Sequence, residues 1–205
     1  MGWFTYYLHL PAQIFYYNWA TIVLLGFEIF YITLQAARGQ LSHFNRSTPL
    51  YAALYSAMAF AATTVTLYTA YISILFFSGN FPDLPGYYLW SIRLGIIIFV
   101  VFALEGAVMG GRMSHTIGGP DGEEGLPVVN WSTKFGDPRI AHFVGMHGLQ
   151  VLPVVSFFIL KDVAATILMA AIYGLLAVLL LRQALKGKPF LRSGTGHQHQ
   201  ANVIS

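Results

Sequence analysis

The chain has 205 residues, 56% of them hydrophobic and 9% charged, with a formal net charge of +3 and no cysteine. A soluble domain carries roughly 25% charged residues, so this composition excludes an ordinary soluble fold and points to a polytopic membrane protein. The missing cysteine excludes disulfides, thiolate metal sites, iron–sulfur clusters and cysteine nucleophiles, and the scattered basic residues form no stripe of the kind that binds nucleic acid.

Residues 1–11 carry no Lys or Arg ahead of the first apolar stretch and no small-residue cleavage site, so a cleaved signal peptide is not expected. Trp3, Phe4, Tyr6 and Tyr7 read as an interfacial collar, because rings with a polar tip favour the headgroup layer. A span needs about 20 mainly apolar residues. Five segments qualify, at 14–37, 50–77, 88–113, 139–160 and 163–181, the last two joined only by Lys161 and Asp162. The expected fold is an all-α bundle of five transmembrane helices in one domain over residues 1–192, followed by a disordered tail at 193–205 in which His197 and His199 are solvated. Arg38, Arg46, Arg112, Lys134, Arg139, Arg182, Lys186, Lys188 and Arg192 fall on one side, which by the positive-inside rule predicts the N-terminus outside and the C-terminus inside. No internal repeat is visible and the number of spans is odd, which disfavours an inverted-repeat transporter. In the second span Ala53, Ala57 and Ala61 stand four apart and predict a close packing face. The fifth span has no ionisable residue over 163–181 and reads as scaffold facing lipid.

Ionisable groups at the bilayer centre are costly and therefore mark function by default. Counted at 1.5 Å per residue from the inner ends of their spans, Glu28 lies roughly 15 Å deep and Glu105 and His147 roughly 12 Å deep. Glu28, Glu105 and His147 are thus expected to meet near the midplane, with Gln150 and Met109 lining the same place. Two carboxylates and an imidazole suit a divalent-metal shell or a proton relay. They suit equally a protonated Glu bonded to a neighbouring helix, or a polar pair that fixes helix register. No Glu-x-x-His pair occurs, which disfavours a bridged di-iron centre. His142 and His147 stand about 140° apart on a helix and should serve different neighbours. His142 belongs to the inner interface, within reach of Arg112 and His115, and His115 with His142 is the one inner-side pair that could ligate a haem axially. Pro153 removes a backbone donor beside Gln150 and predicts a kink.

The connection over 114–138 reads SHTIGGPDGEEGLPVVNWSTKFGDP, with Asp121, Glu123, Glu124 and Asp137 as its acidic residues. It lacks calcium-loop spacing and the Lys of a phosphate loop. Val128, Val129 and Trp131 argue that part of it packs back onto the membrane face, with Trp131 as the anchor. The run from His115 to Gly122, then Trp131-Ser-Thr, then Asp137 to Gln150 resembles a group of small bacterial integral membrane proteins of unassigned function. The resemblance covers about a fifth of the chain, and implies that His115, Asp121, Trp131, Asp137, Arg139, His142, His147 and Gln150 are parts of one signature. It carries no reaction with it.

The leading expectation is an integral protein of the bacterial inner membrane that binds a divalent metal or a haem in the inner half of the bundle and has a redox role. A non-catalytic subunit of a larger membrane complex is one alternative, and a proton-coupled carrier or channel is the other. Expected partners are the lipid bilayer and other membrane subunits or further copies of the chain, not nucleic acid. A retinal protein is excluded because no Lys lies within a span, and serine hydrolase chemistry lacks its nucleophile elbow.

Overall fold

The computed structural model describes residues 2–191, so the expectations for the tail, including His197 and His199, lie outside the described residues. Five helices are long and apolar enough to cross a membrane: α1 (Pro11–Ala37), α2 (Pro49–Ser78), α3 (Gly86–Arg112), α4 (Arg139–Val155, prolonged to Leu160) and α5 (Val163–Leu185). Apart from an isolated bridge between Ile117 and Gly136, the regular structure among the described residues is helical.

The helix starts follow from local chemistry. Pro11 and Pro49 sit at the first positions of α1 and α2, where a missing N–H costs nothing. Thr48 and Asp162 cap α2 and α5 by accepting from the amides of Tyr51 and Ala165, at 3.2 and 2.8 Å. Met113 ends α3 in the left-handed region at φ 53°. Pro153 is absorbed by widening: the helix continues past it as a π-helical turn over Ser156–Leu160, and Lys161 at φ 50° then reverses the chain into α5.

The helices run alternately up and down, as contacts at both ends record. At one end Phe4 packs on Tyr17 and Phe76, Tyr88 meets Phe157, and the Ser156 hydroxyl donates to the Tyr87 carbonyl at 3.0 Å. At the other end lie Arg38, Arg46, Arg112, Lys134, Arg139, Arg182, Lys186 and Lys188, hereafter the basic end. There Phe44 from the α1–α2 connection meets His115, and the α3–α4 connection packs on the last turn of α5. Helix α3 is central, packed on α2, α4 and α5, whereas α1 packs on α2 and on the 3-10 turn Gly2–Leu8.

Phe4, expected in the interfacial collar, is fully buried between α1 and α2, while Trp3, Tyr6 and Tyr7 stay at the rim. It joins Tyr17, Ile72, Phe76, Ile92, Ile96, Phe99 and Leu149 in an apolar core that fills the half of the bundle away from the basic end. Helix α2 buries Met58, Ala61, Val65, Thr69, Ile72 and Phe76, a stripe at three- and four-residue spacing. Ala53 and Ala57 are exposed, so the close-packing face predicted for this helix is reduced to Ala61. The small-residue face is on α5 instead, where Thr166, Ala170, Ala177 and Ala184 are buried.

Candidate functional site

In the half of the bundle toward the basic end the packing is interrupted by ionisable groups from three helices and two connections. Glu105, on α3 about two turns before the helix ends, is buried, with its side chain 4% exposed. Neither of its carboxylate oxygens has a hydrogen-bond partner among the described residues. The nearest cationic candidate is His142 of α4, whose Nδ1 lies 3.6 Å from Glu105 Oε2, just beyond hydrogen-bond reach, and is itself without a partner. Gly106 makes this approach possible. A Cβ there would stand 3.1 Å from the imidazole Cε1, so any other residue would displace the ring.

Glu28 of α1 faces the same place across the bundle, within electrostatic range of His142. Its Oε1 lies 3.9 Å from Nε2 of His43, in the connection between α1 and α2. Tyr55 of α2 completes the surround: its hydroxyl lies 3.4 Å from the place a Cβ on Gly110 would occupy, and its ring is 6.4 Å from that of His43.

The α3–α4 connection covers this end and is ordered by two carboxylates. Asp121 accepts from the Ser114 hydroxyl at 3.0 Å and the His115 amide at 3.2 Å, and its Oδ1 stands 3.2 Å from His115 Nδ1. Burial pushes Asp121 up, but hydrogen bonds from Thr116 and Ser114, with the neighbouring His115, carry it below the ordinary carboxylate value. Asp137 is buried and accepts from the amides of Ser132 and Arg139 and from Nε and Nη2 of Arg139, at 2.6 to 3.1 Å. Arg139 also donates to the Asn130 carbonyl at 2.7 Å, closing the loop on itself. The bridge between Ile117 and Gly136 then sets Gly136 against the carbonyl of Ala184, a contact that leaves no room for a side chain.

His43 and His115 both hold a proton less tightly than a free histidine: burial disfavours the cation, His115 adds to this at His43, and Arg139 adds to it at His115, where Asp121 and Asp137 oppose it. Each is therefore neutral near pH 7. On acidification the unfolded chain takes up these protons first, at about pH 6.5, so both residues cost stability as the pH falls below that value.

The structure redistributes the expected site. His147 is not with Glu105: it is exposed on the far side of α4, with Nδ1 2.8 Å from the Phe143 carbonyl and its ring centre 4.1 Å from that of Phe143, the two planes tilted by 32°. The 140° between His142 and His147 lets only one of them face α3, and that one is His142. Gln150 leaves the cluster with His147, its amide lying 3.2 Å from the carbonyls of Met146 and His147 on its own helix. Met109 is buried one turn from Glu105, as the spacing implies. His115 and His142 address different carboxylates, one in the loop and one in α3, which is not the arrangement of two axial haem ligands. Arg112 is exposed at the end of α3. Trp131 packs its ring edge-on against Phe143, at 5.6 Å, rather than over His142. His43 and Tyr55 were not singled out from sequence. The available signal was that the connection carrying His43 opens at the same end as the signature loop.

Among the described residues no three His, Asp or Glu side chains converge as a ready metal site. Comparison with family models, with curated proteins and with solved structures finds no match.

Proposed function

We propose that the chain is a proton-coupled membrane carrier whose working group is the Glu105–His142 pair. The observation that supports this is the buried carboxylate with both oxygens unpartnered, 3.6 Å from an unpartnered imidazole nitrogen. A buried polar group without a partner costs about 1–3 kcal/mol, and more when charged, so a fold that keeps one has a use for it. A proton shared between the two side chains satisfies both, and its loss leaves a charge that must be compensated by whatever enters next. The core of Phe76, Ile92, Ile96, Phe99 and Leu149 on the opposite side of Glu105 favours a carrier over an open channel, because these side chains fill the space a continuous pore would need.

The test is proton flux in vesicles reconstituted with the protein and loaded with a pH-sensitive dye. An imposed pH gradient should decay faster than in protein-free vesicles, and Glu105→Gln, which keeps the shape and removes the charge, should return the decay to the protein-free rate. Equal decay for the two forms would refute the reading. A metal or haem centre with a redox role draws on the same three unpartnered atoms, with Glu28 as a further oxygen donor. Metal present in stoichiometric amount in the purified protein and lost in Glu105→Gln, or a haem spectrum lost in His142→Ala, would establish that reading instead.

A further inference from the structure

We propose that His43 and Glu28 are the relay that delivers protons to the Glu105–His142 pair from the basic end, an inference that rests on the proton-coupled reading above. Four titratable side chains follow one another from the surface inward: His43, Glu28, His142 and Glu105, drawn from the α1–α2 connection, α1, α4 and α3. Imidazole and carboxylate alternate along the series. The outermost side chain is 44% exposed, the two intermediate ones 20% and 29%, and the innermost 4%. Exposure thus falls from His43 at one end of the series to Glu105 at the other, with the two side chains between them both partly buried.

The local geometry gives each group a direction. His43 Nδ1 lies 3.1 Å from the Ser42 hydroxyl, which turns Nε2 toward Glu28, 3.9 Å away. An imidazole that accepts a proton at one nitrogen and releases one from the other passes charge on without a net change of its own. In the relay His43 accepts at Nδ1 from the aqueous side and releases from Nε2 to Glu28. Glu28 hands the proton to His142, and His142 releases one from Nδ1 to Glu105 Oε2. Both imidazoles end in the opposite tautomer and reset by rotating. The His43–Glu28 and His142–Glu105 separations of 3.9 and 3.6 Å exceed hydrogen-bond length, so these two transfers are completed by a side-chain movement or an intervening water, and the step between Glu28 and His142, which lie within electrostatic range of each other, needs the same.

The charged and titratable neighbours of His43 are Glu28 from α1, Tyr55 from α2 and His115 from the α3–α4 connection. Burial keeps His43 neutral near pH 7, which is the form that accepts a proton, and the neighbouring His115 disfavours the cation further. A supply from the opposite end is closed by Phe76, Ile92, Ile96, Phe99 and Leu149.

The experiment is a rapid pH drop on the purified full chain, following the carboxyl C=O stretch of Glu105 by time-resolved infrared spectroscopy. The band is assigned by its disappearance in Glu105→Gln. His43→Ala should slow its appearance by roughly 10²-fold at unchanged final amplitude. Imidazole added to the buffer should restore the rate. His43→Gln, which keeps a polar side chain beside Ser42, should be as slow as the alanine variant, and Glu28→Gln should also be slow. An unchanged rate in both His43 variants would overturn the relay while leaving the pair intact. Slowing that imidazole does not reverse would make His43 a structural contact and overturn it as well. If the wild-type chain gives no band that Glu105→Gln removes, the pair itself fails, and the relay falls with it.

Discussion

Asp137 shows how much of the α3–α4 connection depends on a single side chain. It is buried and holds Arg139 and the Ser132 amide at once, whereas Trp131, the expected anchor, makes an edge contact with Phe143. Asp137→Ala would strand those donors. With Arg139 28% exposed and able to regain water, the cost is about 2–3 kcal/mol, concentrated in the loop. Limited proteolysis should accordingly cut within 114–138 in Asp137→Ala, while Trp131→Ala leaves the loop nearly as resistant as the parent chain. Equal sensitivity in the two variants would restore Trp131 as the anchor. Residue types and depths are legible in sequence, which is why Glu28 and Glu105 are singled out together, although the same depth count groups them with His147 and sets His142 apart at the inner interface. Partners are not legible at this scale, because a depth says nothing about azimuth, and azimuth placed His142 and not His147 opposite Glu105.

At the scale of elements, the five helices are readable because length and apolarity are local signals. Which face of a helix is buried is a weaker signal in a membrane, since apolar residues face lipid and core alike. The alanines of α2 are therefore a misleading signal, and although α3 and α4 are expected to meet, the glycines that bring them together are not singled out by sequence. That interface is set by close approach at Gly95, Gly106, Gly145 and Gly148, where α3 and α4 side chains or backbone fill the space a Cβ would take. Gly145 is the tightest of these, with the Phe102 ring seated where its side chain would be. Gly145→Ala must move a ring that is 3% exposed, at a cost of about 1–3 kcal/mol. Gly26 in α1 has nothing within 4 Å, and Gly26→Ala should be neutral or slightly stabilising. Thermal unfolding in detergent should separate the two variants clearly. Similar midpoints would mean that α3 and α4 can part without penalty, and the Glu105–His142 distance would then not be fixed by the fold.

For the whole molecule, the asymmetry of charge decides which compartment the polar half of the bundle faces. Apart from Arg192, which lies outside the described residues, Lys161 and Arg93 are the only basic residues away from the basic end. Arg93 is accounted for locally: its Nε donates to the Phe76 carbonyl at 2.9 Å and its guanidinium lies 5.4 Å from the ring centres of Phe77 and Trp90. It is held by the end of α2 rather than by an aqueous phase, which weakens its vote on orientation and sharpens the bias. The positive-inside rule then predicts that the C-terminus, the signature loop and His43 face the cytoplasm. A reporter fused after Ser205 should be active in the cytoplasmic sense, and one inserted beside Asp83 in the external sense. The consequence reaches the chemistry, because the polar side chains near Glu105, namely His142, Glu28 and His43, lie toward the basic end. If the proposed function holds and that end is inside, protons are expected to reach the Glu105–His142 pair when the cytoplasmic side is acidified and not when the outer side is. An external C-terminus would reverse both outcomes together, so the reporter result fixes in advance which face of a vesicle must be acidified to load the site.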